Sequence, residues 1–396
     1  MKKVLCIILV ICLAVAFVAG CNSGQSDTSP ANNTAPDGNT STGGGSTAPS
    51  GNTSTGGAST PAGNNTANDP STPPVDNTVY HFNVSLHAPE FSCTEVTAGL
   101  DRIQEISNGR IEMTYYYSWS LSSVPTIVDD MNVGVVDIGV IPVNEHLNLF
   151  PYTNLVTYTP FLGLPDMRET ARIYDEMLVE NSVFVEEYAK NGLVYWTNIP
   201  NPNYDIFLGT DHEIRVPSDL NGIKLITSSS MMQRFITQNG GAPVMTPVTE
   251  YATSLSTNVV DGAINHANVM RGFGVIDFIK GVTLFGDQGT AKALMILAFS
   301  EQAWNKLPAD LQQIFIDEAE NIRENQGEWD FNSMNGNIGA IRGAGGNVIE
   351  LSDAEIQVWR DAFSTLLDEY IDDLTRGGAT EARAMYNAVQ AKIAGR

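Results

Sequence analysis

Residues 217–239 read PSDLNGIKLITSSSMMQRFITQN. Asp219 and Gly222 shape a turn, because Asp hydrogen-bonds nearby backbone and Gly admits positive φ. Ile223–Thr227 follows as an apolar run of strand length. After three serines, Met231–Asn239 carries apolar residues at helical spacing. Turn, strand and helix in that order form one unit of an α/β sheet. The same unit recurs on both sides. Tyr80–Leu86, Ile111–Tyr117, Val135–Ile141, Leu193–Thr197, Tyr204–Leu208 and Gly262–Asn265 read as strands. Thr94–Ser107, Thr126–Val133 and Val248–Thr257 read as helices, the first stopped by Asn108-Gly109. Such alternation predicts parallel sheets with helical crossovers.

Beyond residue 300 the pattern becomes helical. Pro308–Asn325 places Leu311, Ile314, Phe315 and Ala319 on one side. Ser352–Thr375 opens with Ser-Asp-Ala-Glu, a capping box. Gly343–Gly346 reads as a turn into a strand at Val348–Leu351. A phosphate loop needs strand, Gly motif and helix in that order, so these glycines are not one. From Val79 the chain has length enough for two α/β lobes.

The first 78 residues differ in kind. Lys2-Lys3 and the apolar run Val4–Ala19 have the pattern of a signal segment, 1–20. It ends in Val18-Ala19-Gly20-Cys21, which looks like a bacterial lipobox whose Cys is acylated, with palmitate-type chains. Several acyl chains anchor stably where one is marginal. Residues 21–78 then read as a lipid-anchored disordered tether: 22–78 hold no Lys, Arg or aromatic residue, and the near-repeat GNTSTGGGSTAPS/GNTSTGGASTPAG spans 38–63. So polar a segment cannot offset its ordering entropy, and its root-mean-square reach is roughly 40 Å. A glycosylated stalk is the alternative. Cys6 and Cys12 lie in the signal segment, leaving Cys93 as the one free thiol of the folded part, buried and inert.

Lys and Arg total 21 against 45 Asp and Glu, a formal charge of −24. That excludes a general nucleic-acid footprint, which needs clustered cations. No catalytic signature, zinc-ligand spacing or nucleotide loop occurs, and none of the five histidines stands four residues from another. The sequence therefore predicts no enzyme, no catalytic residue, no metal and no cofactor. Adjacent carboxylates at Asp129-Asp130 and Asp372-Asp373 point apart on a helix and read as solvated.

An ordered set of motifs resembles the solute-binding (DctP-type) subunit of tripartite ATP-independent periplasmic (TRAP) transporters: Ser107–Ile111, Gly134–Ile138, Thr159–Leu162, Pro217–Lys224, Glu250-Tyr251, Thr257–Gly262 and Trp304–Pro308. The resemblance implies a two-lobe periplasmic-binding-protein-like fold with a hinge, an interlobe cleft and a helical C-terminal region. The expected boundaries are 79–203 for lobe I, with 292–331 returning to it, and 204–291 for lobe II, with 332–396. It implies capture of a small organic solute, delivery to the small and large TRAP membrane subunits, and an extracytoplasmic location on the cell membrane through the lipid anchor. A sensor presenting its closed form to a receptor, and an enzyme on a binding scaffold, are the rival readings.

The resemblance also places candidate ligand contacts. The family's carboxylate-binding Arg corresponds to Ile226, and a second, less widespread Arg falls near Ile206. Losing a bidentate guanidinium removes the strongest carboxylate contact. Either the solute is not a small carboxylate, or the anion is bound elsewhere, with Ser229, Arg234 and Arg271 as candidates, or transport has been lost. Asn265 stands where the family has a contacting Asn, and His266 where Pro is usual. Ser85 and His87 end the first strand, and Trp119 follows the second. Tyr117 reads as core and Phe161 as packing near the hinge.

Overall fold

The computed structural model describes residues 77–89 and 92–396. The signal segment, Cys21 and the tether as far as residue 76 lie outside the described residues. Two sheets organise the chain. The first has the order β2-β1-β3-β10-β4, from β1 (Tyr80–Ser85), β2 (Ile111–Tyr116), β3 (Ile138–Pro142), β4 (Leu193–Pro200) and β10 (Leu294–Ser300). The second runs β11-β9-β5-β8-β6-β7, from β5 (Asp205–Leu208), β6 (Lys224–Ile226), β7 (Ala242–Val244), β8 (Gly262–Asn265), β9 (Gly281–Leu284) and β11 (Asn347–Glu350).

The sheets are mixed, not parallel as the alternation predicts. β1 is parallel to β2 and β3, and β6 to β7 and β8, as helical crossovers require. β10 is antiparallel to β3 and β4, and β5 to β8 and β9. The chain passes from β4 straight into β5, and later from β9 to β10, so it enters each sheet from the other. A strand arriving that way runs against those laid down by crossovers.

The helices form where the sequence places amphipathic stripes. α1 (Thr94–Ile106) buries Val96, Leu100 and Ile103, and it stops where Asn108 and Gly109 take positive φ. α6 (Ser230–Gln238) buries Met231, Met232, Phe235 and Ile236. α11 (Asp353–Arg376) starts in the expected capping box, with Glu355 accepting from the Ser352 N–H at 2.8 Å.

One helix is far longer than its pattern indicates. α10 (Ala309–Gly343) continues past Asn325. Its first half packs on α1, β4 and α4 (Met167–Glu180), and its second on α8 (Ala267–Gly272) and β11. Glu318, Arg323 and Gln326 occupy buried positions, so no apolar stripe continues through the middle. Their partners are specific: Arg102 holds Glu318, and Asp175 meets Arg323 at 2.8 Å. The sequence reading also missed α3 (Pro151–Thr157) and α12 (Ala382–Ala394), which pack on each other.

Phe161 packs between the rings of Phe235, Phe285, Trp359 and Phe363 at centroid distances of 5.6–5.9 Å. These contacts tie the segment after α3 to α6 and α11, and each favourable ring pair adds about 0.5–1.5 kcal/mol beyond area burial. Cys93 is fully buried, and burial pushes its thiol up to about 11, which removes thiolate reactivity at neutral pH. No helix among the described residues is long and apolar enough to cross a membrane.

Candidate ligand-binding cleft

Strands that end at the junction of the two sheets bring polar groups together there. At the end of β1, Ser85 is fully buried and its Oγ has no hydrogen-bond partner. Two residues on, His87 Nδ1 is buried and unpartnered as well. An unsatisfied buried polar atom costs about 1–3 kcal/mol, so a pair of them marks a place where a ligand or water completes the bonding.

From the second sheet, β8 delivers Asn265 and His266. Asn265 Oδ1 accepts from the His266 N–H at 2.9 Å, and its side chain also bonds Tyr251 on α7 (Tyr251–Ser256). His266 precedes α8, and its ring stands edge-on to Tyr204, with centroids 5.5 Å apart. His87 lies close enough to His266 to depress its basicity. Burial is the larger cause and brings His266 down to about 3; burial alone brings His87 down to about 4. Both imidazoles are therefore neutral at pH 7; His266 Nδ1 accepts from the Val269 N–H at 3.4 Å, which leaves its Nε2–H to donate, while His87 Nδ1 stays unpartnered.

Three tyrosines and one carboxylate extend this group. Tyr158 and Tyr204 rings meet at 5.8 Å and 74°. The Tyr158 hydroxyl lies 2.8 Å from Ser228 Oγ. Glu145, just after β3, is near enough for its charge to raise the pKa of Tyr158, Tyr204 and Tyr251. Glu145 is itself exposed, and partial desolvation by the protein around it raises its own pKa. Sequence reading did not single out Glu145, Tyr158 or Tyr204. The Glu-Tyr and Thr-Pro-Phe motifs bracket two of these tyrosines but say nothing of how they converge.

The ends of β1 and β8 carry Ser85, His87, Asn265 and His266, with His87 near enough to His266 to lower its basicity; the other sequence candidates sit as follows. Ile206 and Ile226 are both about 1% exposed but belong to different apolar clusters: Ile206 packs with Tyr204, Phe285 and Trp359, Ile226 with Phe207, Tyr251 and Leu255. Ser229 caps α6, its Oγ accepting from the Met232 N–H at 3.3 Å. Arg234 reaches α11, where it pairs with Glu369 and Asp373. Trp119 takes φ +58 directly after Ser118 at +54. Its N–H donates to Leu86 O and that of Ser118 to Ala88 O, both at 3.1 Å, which pins the segment carrying His87. Consecutive left-handed residues of this size cost energy that persists only where surrounding contacts hold them.

A second polar bridge spans the sheets along α10. Gln326 donates to Ser92 O at 3.3 Å and to Asp330 at 2.9 Å, while Asn268 on α8 donates to Asp330 Oδ1 at 3.2 Å. Burial lifts the Asp330 carboxyl to about 7.

Two α/β lobes that present polar groups to each other across a junction define the periplasmic-binding-protein-like two-lobe fold. Residues 92–373 match the family described as bacterial extracellular solute-binding protein, family 7 (DctP), and the chain belongs to that family. A binding role, not a catalytic one, goes with it. No curated protein sequence matches the chain. Solved TRAP solute-binding proteins share the fold. One from Sulfitobacter sp. NAS-14.1, with bound β-D-galacturonate, is 18% identical over 78% of this chain and 99% of its own, with TM-score 0.66. One from a marine metagenome, specific for aromatic acid ligands, is 19% identical over 80% of this chain and 98% of its own, with TM-score 0.70. One from Desulfovibrio salexigens, with bound orotic acid, is 18% identical over 79% and 99%, with TM-score 0.67.

Proposed function

We propose that this chain is an extracytoplasmic lipoprotein that captures a small organic solute between its lobes and delivers it to the small and large membrane subunits of a TRAP-type transporter. The observation that carries the reading is the approach of His87, just beyond β1, to His266, just beyond β8, with Ser85 Oγ and His87 Nδ1 buried and unpaired. Lobe I is taken as 79–203 with 292–331, and lobe II as 204–291 with 332–396. Residues 1–20 act as signal segment, Cys21 carries the lipid, and 21–78 tether the lobes to the membrane.

Ile226, in place of the family's arginine, supports a solute held without that bidentate contact. Two members of the rival anion site lose support, since Ser229 caps its helix and Arg234 is engaged by two carboxylates on α11; Arg271, at the end of α8, is exposed and keeps that reading open.

The test is a thermal-shift screen of residues 22–396, stripped of solute by unfolding and refolding. Small carboxylates are set against neutral, amide-bearing and apolar compounds. A ligand at 100 times its dissociation constant stabilises by about 2.7 kcal/mol. Failure of every compound, with no solute released from the freshly purified protein, would count against solute capture. Cys21→Ser in the full chain is expected to release the protein from the membrane fraction.

A further inference from the structure

We infer that the cavity between α11 and α12 is a second binding site, separate from the interlobe cleft, for a small organic anion whose carboxylate meets Arg360 and whose apolar body lies on Phe161, Phe363 and Tyr386. The inference goes beyond solute capture and does not depend on it.

The cavity has a volume of about 350 Å³, enough for a small molecule. Phe161, Leu162 and Phe363 form its buried floor, and half-buried Leu367, Tyr386 and Ile393 line its sides. None of Ser85, His87, Asn265 or His266 lines it. An apolar floor with a few polar groups at one end both holds and orients a small ligand.

Arg360 supplies the charge. Every other arginine among the described residues is ion-paired except Arg271, which is exposed at the end of α8. Arg360 is half-buried. Its Nη2 donates to a neutral acceptor, Gln288 Oε1, at 2.7 Å, and its Nε is buried without a partner. Nη1 makes no hydrogen bond and is not occluded. A charge taken partly out of water without a counter-charge is relieved by an anion. A carboxylate on a guanidinium makes the strong, charge-assisted kind of hydrogen bond. Asp361, the one carboxylate at the cavity, is turned to Gln357, whose Nε2 donates to its Oδ1 at 2.7 Å.

The backbone makes room for the guanidinium. A Cβ at Gly163 would stand 2.8 Å from Arg360 Nη2, so the charged group rests directly on the chain after Leu162. Gly163 takes φ +81, which glycine adopts without strain. Gln288 ends the turn Gly286–Gln288 between β9 and β10, where the chain passes from the second sheet to the first. Three segments distant in sequence thus hold the charged end of the site, beside a crossing between the sheets.

The experiment titrates stripped residues 22–396 by calorimetry at pH 7.5. 4-Phenylbutanoate is set against 4-phenylbutan-1-ol and 4-phenylbutylamine; octanoate is set against octan-1-ol and octylamine. At least one carboxylate is expected to bind tenfold or more tighter than its alcohol, with the amine weaker still. Arg360→Gln is expected to weaken that carboxylate at least tenfold. Ser364→Phe, which fills the cavity from its exposed edge, is expected to do the same, while His87→Asn in the cleft leaves the affinity within twofold. Ligand-free melts check that each variant folds; if Arg360→Gln melts early, Ser364→Phe alone decides. Binding by neither carboxylate, equal binding by an alcohol, or unchanged affinity in the cavity variants overturns the inference. Loss in His87→Asn with retention in Arg360→Gln places the carboxylate in the cleft, which overturns the second site and leaves solute capture standing.

Discussion

The Tyr158 hydroxyl meets Ser228 Oγ at 2.8 Å, joining the end of α3 to the loop after β6. Elements from the two sheets' layers thus share a direct hydrogen bond beside the candidate site. Tyr158→Phe removes one of the two hydroxyls and keeps the ring against Tyr204. A loss of about 0.5–1.5 kcal/mol is expected, the usual net worth of one hydrogen bond. Denaturant unfolding of the variant, with Ser228→Ala and the double variant completing a cycle, checks it. Additive single effects would show that the two hydroxyls do not interact in solution.

Acid should weaken the folded arrangement through His87 and His266. His87 and His266 are held at about 4 and about 3, below their ordinary 6.5. The unfolded chain takes up these protons below pH 6.5, and the folded chain does not until about 4 and about 3. Their contribution is therefore full above 6.5 and is lost as pH falls toward 4. Between pH 7.5 and 5 the loss is of order 2 kcal/mol for each histidine, about 4 for the pair. Asp330, Asp205 and Glu187, each raised to about 7, titrate in the opposing sense. The measurement is accordingly a difference: wild type minus the His87→Asn/His266→Asn double variant, followed by thermal melts across that range. A flat difference would refute the assignment.

Ile226→Arg tests where that side chain lies. It is packed against Phe207, Tyr251 and Leu255 at 1% exposure. A guanidinium there has no carboxylate within its cluster, and an uncompensated buried charge costs about 3–5 kcal/mol. The melting temperature is expected to drop whether or not ligand is present. Arg234→Ala, by contrast, cuts only half-exposed ion pairs to Glu369 and Asp373. It should cost under about 1 kcal/mol and leave ligand affinity unchanged. A tenfold affinity loss in Arg234→Ala would revive an anion site at α6.

Gly99 lets α1 lie close on α10. A Cβ there would stand 2.2 Å from Ile322 Cγ1 and 2.8 Å from its Cδ1. Gly99→Ala is expected to destabilise by about 1–3 kcal/mol through overpacking, despite alanine's better helix propensity. Ile322→Val should recover part of that loss in the double variant, read by chemical denaturation.

The sequence alone was enough for the α/β class, the helix over 94–107, the capping box at Ser352 and the burial of Cys93, because each depends on local chemistry: periodicity, a turn residue, a cap, a lone thiol. It was also enough to place Asn265 and His266 at the end of β8, since a strand's end is a local feature. Other features depend on what a segment packs against. α10 runs 35 residues because its buried positions are filled by Glu318, Arg323 and Gln326, whose partners are distant in sequence. The antiparallel entries of β5 and β10 follow from crossings between sheets, which leave no periodic trace. Glu145, Tyr158, Tyr204 and Tyr251 are spread over more than a hundred residues and look like ordinary surface or core residues one at a time. Only the folded chain sets the Tyr158, Tyr204 and His266 rings edge to face and joins Tyr158 to Ser228, because packing and hydrogen bonding act through space and not along the chain.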